Sequence, residues 1–294
     1  MNPVRSIIKA AYDRLPAKRQ VFTLLRSVYV PPPALYQHLH FRGQFEVRVD
    51  GRTLLINHDG FDLENQIFWG GLCGGREGGS MKLWIELCRG ARCVFDIGAN
   101  TGIYGLVAKT VNPDARVVAF EPVHRVYERL KRNCADNRFD IQCVEKALSN
   151  YDGRAKIFDT GDEHIYSVTV NKNLQSSDTK VHEVEIETAR LDSFIRSIGQ
   201  LPPIDLMKID VETHEGEVLE GMGKCLAEYR PSLLIEILND EVAQSVERRI
   251  QGLDYLRFDL DDEGPPRFCE TLRKSSHWNF LLCSRERARW LKLL

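Results

Sequence analysis

Two short stretches hold most of the side chains that could do chemistry. In IDLMKIDVETHEGEVLEGM, Ile204 to Met222, five polar or ionisable groups fall within eight positions: Lys208, Asp210, Glu212, His214 and Glu215. They close an apolar run that reads as a buried strand, and a helix carrying Val218, Leu219 and Met222 is expected to begin near Thr213. Carboxylates and an imidazole gathered at the carboxyl end of a strand suit proton transfer and the orienting of a ligand, because ligands bind at that end in open α/β sheets. The same residues would serve a solvated turn ahead of a helix whose N-terminus favours acids. Their place behind a buried strand favours the site.

The second stretch is CVFDIGANTG, Cys93 to Gly102. Cys93, Val94 and Phe95 lead into Asp96, then Gly98 and Gly102, and Ile103, Tyr104, Leu106 and Val107 follow at helical spacing. Strand, tight turn and helix in that order let backbone approach a ligand closely and aim helix N–H groups at it. Glu121 ends the next apolar run, Arg116 to Phe120, 25 residues beyond Asp96. At about that distance an acid closing the second strand reaches ribose hydroxyls, and a carboxylate accepts two hydrogen bonds at once.

The turn is not the dinucleotide pattern GxGxxG, since positions 98, 100 and 103 are Gly, Asn and Ile, which disfavours a nicotinamide dehydrogenase. A pyrophosphate has no use for a carboxylate at Asp96, whereas a ligand with an ammonium group does. S-adenosylmethionine has one: its amino-acid part would meet the Gly98 loop and its adenosine Glu121. The chemistry expected is methyl transfer, which is mostly positioning, with a base helpful when the acceptor is a hydroxyl.

The elements that must position these groups fit a soluble chain of 294 residues, 43% hydrophobic and 28% charged, enough for one α/β domain plus an appendage. A net charge of −2 gives no global basic field, so nucleic acid is not the expected partner. Eight cysteines without a CxxC pair read as reduced and structural, which fits a cytoplasmic enzyme. No apolar run approaches a bilayer's thickness and no signal-peptide core opens the chain. Residues 1 to 42 nevertheless carry seven Lys or Arg against Asp13 alone, and Val4, Ile7, Ile8, Ala11 and Leu15 fall near one helical face. That helix is read as packing on its own domain or on a dimer mate, with contact to an anionic membrane's cytoplasmic face as the alternative.

Pro31, Pro32 and Pro33 form an extended spacer, and Asp50-Gly51 between alternating apolar residues marks a hairpin. The Gly-rich stretch Gly70 to Gly79 lacks the Gly-Lys-Ser/Thr ending of a phosphate loop and reads as a lid or plain loop. Ser80 is expected to cap a helix through Cys88. Ile141 to Leu148 reads as one strand, Ala155 to Phe158 and Val181 to Thr188 as two joined by a polar loop, Asn171 to Lys180, and Leu191 to Ile198 as a helix. Pro231 to Leu238 reads as a buried strand with Glu236 inside it. Tyr255 to Leu260 and Asn279 to Cys283 form a closing antiparallel pair around the loop Asp261 to Ser276, with His277-Trp278 at its mouth. Arg285 to Lys292 reads as a solvated helix. The division expected is an extension, residues 1–80, and a catalytic domain, residues 81–294.

Taken as ordered blocks, FDIGANTGIYGLVA, VVAFEPVHRVYERLKRNCADN, KALSNYDG, LDSF, IDLMKIDVETHEGEVLEGM and PSLLIEI resemble the FkbM-type methyltransferases, a class I S-adenosylmethionine-dependent family, from about Ala91 to Ile237. The resemblance implies a Rossmann-like, mostly parallel seven-stranded sheet with an antiparallel last strand, and O-methylation of a sugar or natural-product hydroxyl. It implies that Asp96, Gly98, Ala99, Asn100, Gly102 and Glu121 bind the cofactor, that Ala147 lies near its adenine, and that Asp210 and Glu212 line the active cleft. The chain departs at Thr213-His214, where the family most often has Gly-Ala. His214 thereby becomes a candidate base, since an imidazole takes protons near neutral pH. Asp210 is the other candidate, and Glu212 would orient the acceptor. A divalent metal at Asp210 with Asp240 is conceivable for a vicinal-diol acceptor and is not favoured. A nucleic-acid methyltransferase, or a module that binds the cofactor without turnover, are the alternatives.

Overall fold

The computed structural model describes residues 17–75, 77–159, 168–169, 182–199, 201–262 and 264–294. The expected apolar face from Val4 to Leu15 and the loop Asn171 to Lys180 lie outside the described residues.

The chain begins with helix α1 (Lys18–Val28), a one-turn helix α2 (Pro33–Tyr36) that takes up the last proline of the spacer, and the hairpin β1 (Gly43–Val49) and β2 (Arg52–His58). Asp50 and Gly51 both have positive φ, +50° and +78°, as the two-residue turn of a twisted hairpin requires. Helices α3 (Asp62–Gly70) and α4 (Gly78–Cys88) follow. Ser80 does not cap α4: it lies buried within the helix, whose first turn is Gly78 to Ser80. Gly78 must open it because a Cβ there would sit 2.4 Å from the Cys73 carbonyl oxygen.

Then come β3 (Cys93–Ile97), α5 (Ile103–Val111), β4 (Arg116–Phe120), α6 (His124–Asp136), β5 (Gln142–Val144), β6 (Ala147–Leu148), β7 (Gly153–Asp159), β8 (Val168–Thr169), β9 (His182–Ala189) and α7 (Leu191–Ile198). The chain ends through β10 (Leu206–Ile209), α8 (Glu215–Gly221), α9 (Lys224–Tyr229), β11 (Ser232–Glu236), α10 (Asp240–Ile250), β12 (Leu256–Asp259), β13 (Arg267–Cys269), β14 (Asn279–Cys283) and α11 (Arg285–Trp290).

Eight strands make the main sheet, in the order β5-β4-β3-β10-β11-β14-β12-β13. From β5 to β11 all neighbours are parallel, and β14 runs antiparallel to both β11 and β12. This is the mostly parallel sheet with a reversed last strand that the family resemblance implies, plus an edge strand: β13 comes from the expected loop Asp261 to Ser276 and pairs with β12. Both faces are covered, which is why the central strands read as continuous apolar runs. Val94 and Val117 point to a core shared with the hairpin, α4 and α5, whereas Phe95, Ile97, Val118 and Phe120 point to one shared with α7, α8 and α10.

The expected single strand Ile141 to Leu148 is two. β5 closes the edge of the main sheet, the Lys146 N–H turns back to the Val144 carbonyl, and β6 joins a second sheet of order β6-β9-β7-β8. An apolar run cannot reveal which partner each half takes. Among the described residues no helix is long and apolar enough to cross a membrane.

Candidate functional site

A cleft of about 670 Å³ opens at the carboxyl ends of β3, β4 and β10, a size usual for small-molecule sites. Asp96, Gly98, Ala99, Asn100, Glu121, Ala147, Asp210, Glu212 and His214 all line it. Of the residues singled out from the sequence, Gly102 stands apart from the lining. It precedes α5 at φ +91°, and a Cβ there would lie 2.4 Å from Leu130 Cδ1, so the packing of α6 accounts for it.

The glycine turn is held from beneath. The N–H groups of Gly98 and Ala99 both donate to the Phe120 carbonyl, at 3.1 and 2.8 Å. Gly98 has φ +75°, and a Cβ on it would fall 1.8 Å from the Asp210 carbonyl oxygen, so the turns after β3 and β10 touch at a point only glycine can occupy. Asn100, at φ +53°, donates its N–H to Glu121 Oε2 at 3.0 Å, and Val123 donates to Oε1 at 3.0 Å. The Glu121 carboxylate is therefore fixed in orientation while each oxygen keeps a second acceptor site. Asn100 Oδ1 is buried and has no hydrogen-bond partner among the described residues. Asp96, also buried, accepts the Gly105 N–H at Oδ2, 2.8 Å away. Burial pushes both carboxyls, Asp96 and Glu121, up to about 7.

Lys208 stands beside Asp96 in the parallel register of β10 and β3. Only 1% exposed, it donates to Asp210 Oδ2 at 3.1 Å and Asn279 Oδ1 at 3.3 Å and lies 5.2 Å from the centre of the Tyr104 ring. Burial opposes its charge, but the carboxylates of Asp210 and Glu77 outweigh it and hold the ammonium above its usual range. Burial, with Asp210 nearby, pushes Glu236 the other way from ionisation, well above the carboxylate range. The cleft floor is thus a fixed cation among acids, two of which are partly protonated at neutral pH. Tyr104 donates its hydroxyl to Glu77 Oε2 at 2.6 Å, a contact the sequence conceals because Tyr104 reads only as an apolar helix position.

The loop after β10 is strained and braced. Glu212 and Thr213 have φ of +54° and +83°. Glu215 Oε1 accepts the N–H groups of Val211 and Thr213, at 3.2 and 3.3 Å. The helix starts at Glu215, later than expected, because the two left-handed residues precede it. His214 Nε2 is 3.0 Å from Ser149 Oγ, and its Nδ1 is 3.6 Å from Glu217 Oε2. Burial lowers the imidazole's pKa, so the ring is neutral at pH 7. Asp240 accepts the Lys274 N–H at 2.9 Å and stands outside the cleft lining, while Asp210 lines the cleft and is held by Lys208. Among the described residues no group of three or more His, Cys, Asp or Glu could hold a metal ion.

One wall comes from the chain before β3. Asp62, Gln66, Gly71, Gly75 and Glu77 line the cleft, and buried Glu64 of α3 accepts the Thr101 hydroxyl at 3.1 Å behind the glycine turn. The Gly-rich stretch, expected as a lid or plain loop, is part of that wall. Ser276, His277, Trp278 and Asn279 also line the cleft.

The sequence model of the methyltransferase FkbM domain matches residues 96–260. The methyltransferase sdnD of Sordaria araneosa is 30% identical over 154 residues, 44% of this chain and 60% of its own. The hexuronic acid methyltransferase AglP of Haloferax volcanii is 27% identical over 146 residues, 50% of this chain and 56% of its own. The 31-O-demethyl-FK506 methyltransferase FkbM of Streptomyces tacrolimicus is 28% identical over 162 residues, 47% of this chain and 62% of its own. The chain therefore spans under two thirds of the length of these relatives.

Proposed function

Because this chain belongs to the FkbM methyltransferase family, we propose that it moves a methyl group from S-adenosylmethionine to a hydroxyl of a sugar or natural-product acceptor. The observation that carries this is the Glu121 carboxylate, fixed by two backbone N–H groups beside a glycine turn and still able to accept two hydroxyls. The other residues fit the same group. Asp96 and the orphaned Asn100 Oδ1 offer acceptors to an ammonium, and Ala147 lines the same cleft. The bound cofactor would supply an electrophilic methyl on sulfur.

The acceptor would enter on the side of Asp210, Glu212 and His214. His214 would take the hydroxyl proton on Nε2, the nitrogen that Ser149 now meets, while the cofactor would give up its methyl from sulfur and be left as the neutral thioether. Burial keeps the ring neutral and so ready to accept. Glu217 faces the opposite nitrogen and steadies the imidazolium that results. Asp210, tied to Lys208, and Glu212 orient the acceptor's other hydroxyls. That two relatives are a hexuronic acid methyltransferase and a 31-O-demethyl-FK506 methyltransferase supports an oxygen acceptor on a sugar or natural product.

Calorimetric titration with S-adenosylhomocysteine tests the cofactor half. Saturable binding that Glu121→Ala weakens by about 1 to 3 kcal/mol, the scale for stranding hydrogen-bonded groups, is expected; no binding to the unaltered chain sinks the proposal. For the base, His214→Ala should lower turnover about a hundredfold or more at unchanged cofactor affinity, and unaltered turnover removes His214 from the mechanism.

A further inference from the structure

Thr188 is a buried polar residue in the cleft lining. It is 5% exposed, and its Oγ1 has no hydrogen-bond partner among the described residues. It sits in β9 between two strands, level with Ala147 of β6 on one side and Gly153 of β7 on the other. Its surroundings in the lining are small or aliphatic: Ala147, Ala155, Ile157 and Ile186, with Val123 leading back to Glu121. Tyr151, 43% exposed, is also part of the lining. A Cβ on Gly153 would lie 3.6 Å from the Tyr151 ring and 4.0 Å from Thr188 Oγ1, so ring and hydroxyl border one niche. Lys208, Asp210 and Glu236 lie elsewhere in the cleft, in and beside β10 and β11.

A hydroxyl stranded away from water costs about 1 to 3 kcal/mol, which a ligand that bonds it returns. An aliphatic lining, an aromatic ring beside it and an unpartnered hydroxyl suit a flat, uncharged heteroaromatic ring with polar edges. On the reading of the cofactor given above, we propose that Thr188 hydrogen-bonds the edge of the cofactor's adenine and that Tyr151 covers the face of the base. Thr188 is then a binding residue supplied by the second sheet.

The test is calorimetric titration of S-adenosylhomocysteine into the unaltered chain, Thr188→Val, Thr188→Ser and Tyr151→Ala, with a melting curve of each free protein. Thr188→Val keeps the shape and removes the hydroxyl. It should weaken binding about tenfold while leaving the free protein as stable as before or more so. Thr188→Ser should stay within about twofold. Tyr151→Ala, at the surface, should cost about fivefold or more, the scale of base stacking on a ring. Undiminished binding by Thr188→Val, equal losses in Thr188→Val and Thr188→Ser, or a loss matched by a fall in the melting temperature of free Thr188→Val overturns the role of Thr188, and full affinity in Tyr151→Ala overturns that of Tyr151. If the unaltered chain binds no S-adenosylhomocysteine, the cofactor reading fails and this inference with it; if it binds and the variants match it, only this inference fails.

Discussion

Thr213 holds φ +83°, a region that costs a β-branched residue about 1 to 3 kcal/mol. Its neighbour Glu212 is left-handed too, and Glu215 braces both from within by accepting two N–H groups while its own carboxyl is pushed by burial up to about 8. The strained pair delivers His214, the residue just before α8, to Ser149. Glycine, usual at position 213 in the resembling family, would relax it. Thr213→Gly should therefore raise unfolding stability by about 1 kcal/mol in urea; a loss of stability would show that the side chain contributes more than its backbone costs. The departure from the family pattern at 213 and 214 is visible in the sequence. That it places two consecutive residues at positive φ is not, because nothing local demands it of Glu212.

Helix α3 and the turn after β3 are tied by a buried hydrogen-bonded pair, Glu64 and Thr101. Glu64 Oε2 has no hydrogen-bond partner among the described residues, and burial pushes its carboxyl from an ordinary 4.5 up to about 7. The folded state thus holds the proton more tightly than the unfolded chain. Stability from this group is fully present below about pH 4.5 and is lost as pH rises through about 7. Asp96 and Glu121 act in the same direction. Glu64→Gln should leave stability at pH 7 equal or higher and flatten part of the decline measured between pH 5 and 7.5, and an unchanged slope would remove Glu64 as a source. At this scale the sequence is legible wherever the signal is local. Asp50-Gly51 marks the hairpin, and Leu191 to Ile198 falls where its helix lies. It is illegible where a partner decides, as in the break between β5 and β6, or Ser80, which has a capping side chain but lies within a turn closed by Gly78.

Across the molecule, the cleft residues come from positions 62 to 279. Asp96, Glu121 and the group from Lys208 to Glu215 were readable because each closes an apolar run, and a parallel sheet brings such closures to one end. Thr188 carries no such mark. It alternates with Glu183, Glu185 and Glu187 in a strand of ordinary pattern, and only pairing with Ala147 and Gly153 turns it to the cleft. Glu64 and Glu77 lie before the stretch that resembles the family, so their part in the wall follows from packing alone. The same distance hides the meaning of Lys208: its neighbours Asp96 and Asn279 lie 112 and 71 residues away.

Two carboxyls balanced near 7 on the cleft floor make ligand capture a proton-releasing event. An ammonium arriving beside Asp96 favours its ionised form, and hydroxyls donated to Glu121 do the same there, so protons leave for the buffer. Affinity for S-adenosylhomocysteine should accordingly rise with pH from 6 and level off above about 7. At pH 6.5 the heat of binding should be more exothermic in Tris, which takes up protons with much heat, than in phosphate, which takes them up with little. Equal heats in the two buffers would mean that both carboxyls are already ionised in the free protein. Otherwise the calorimeter reads two reactions at once, and its heats become comparable between variants only after the buffer's share is subtracted.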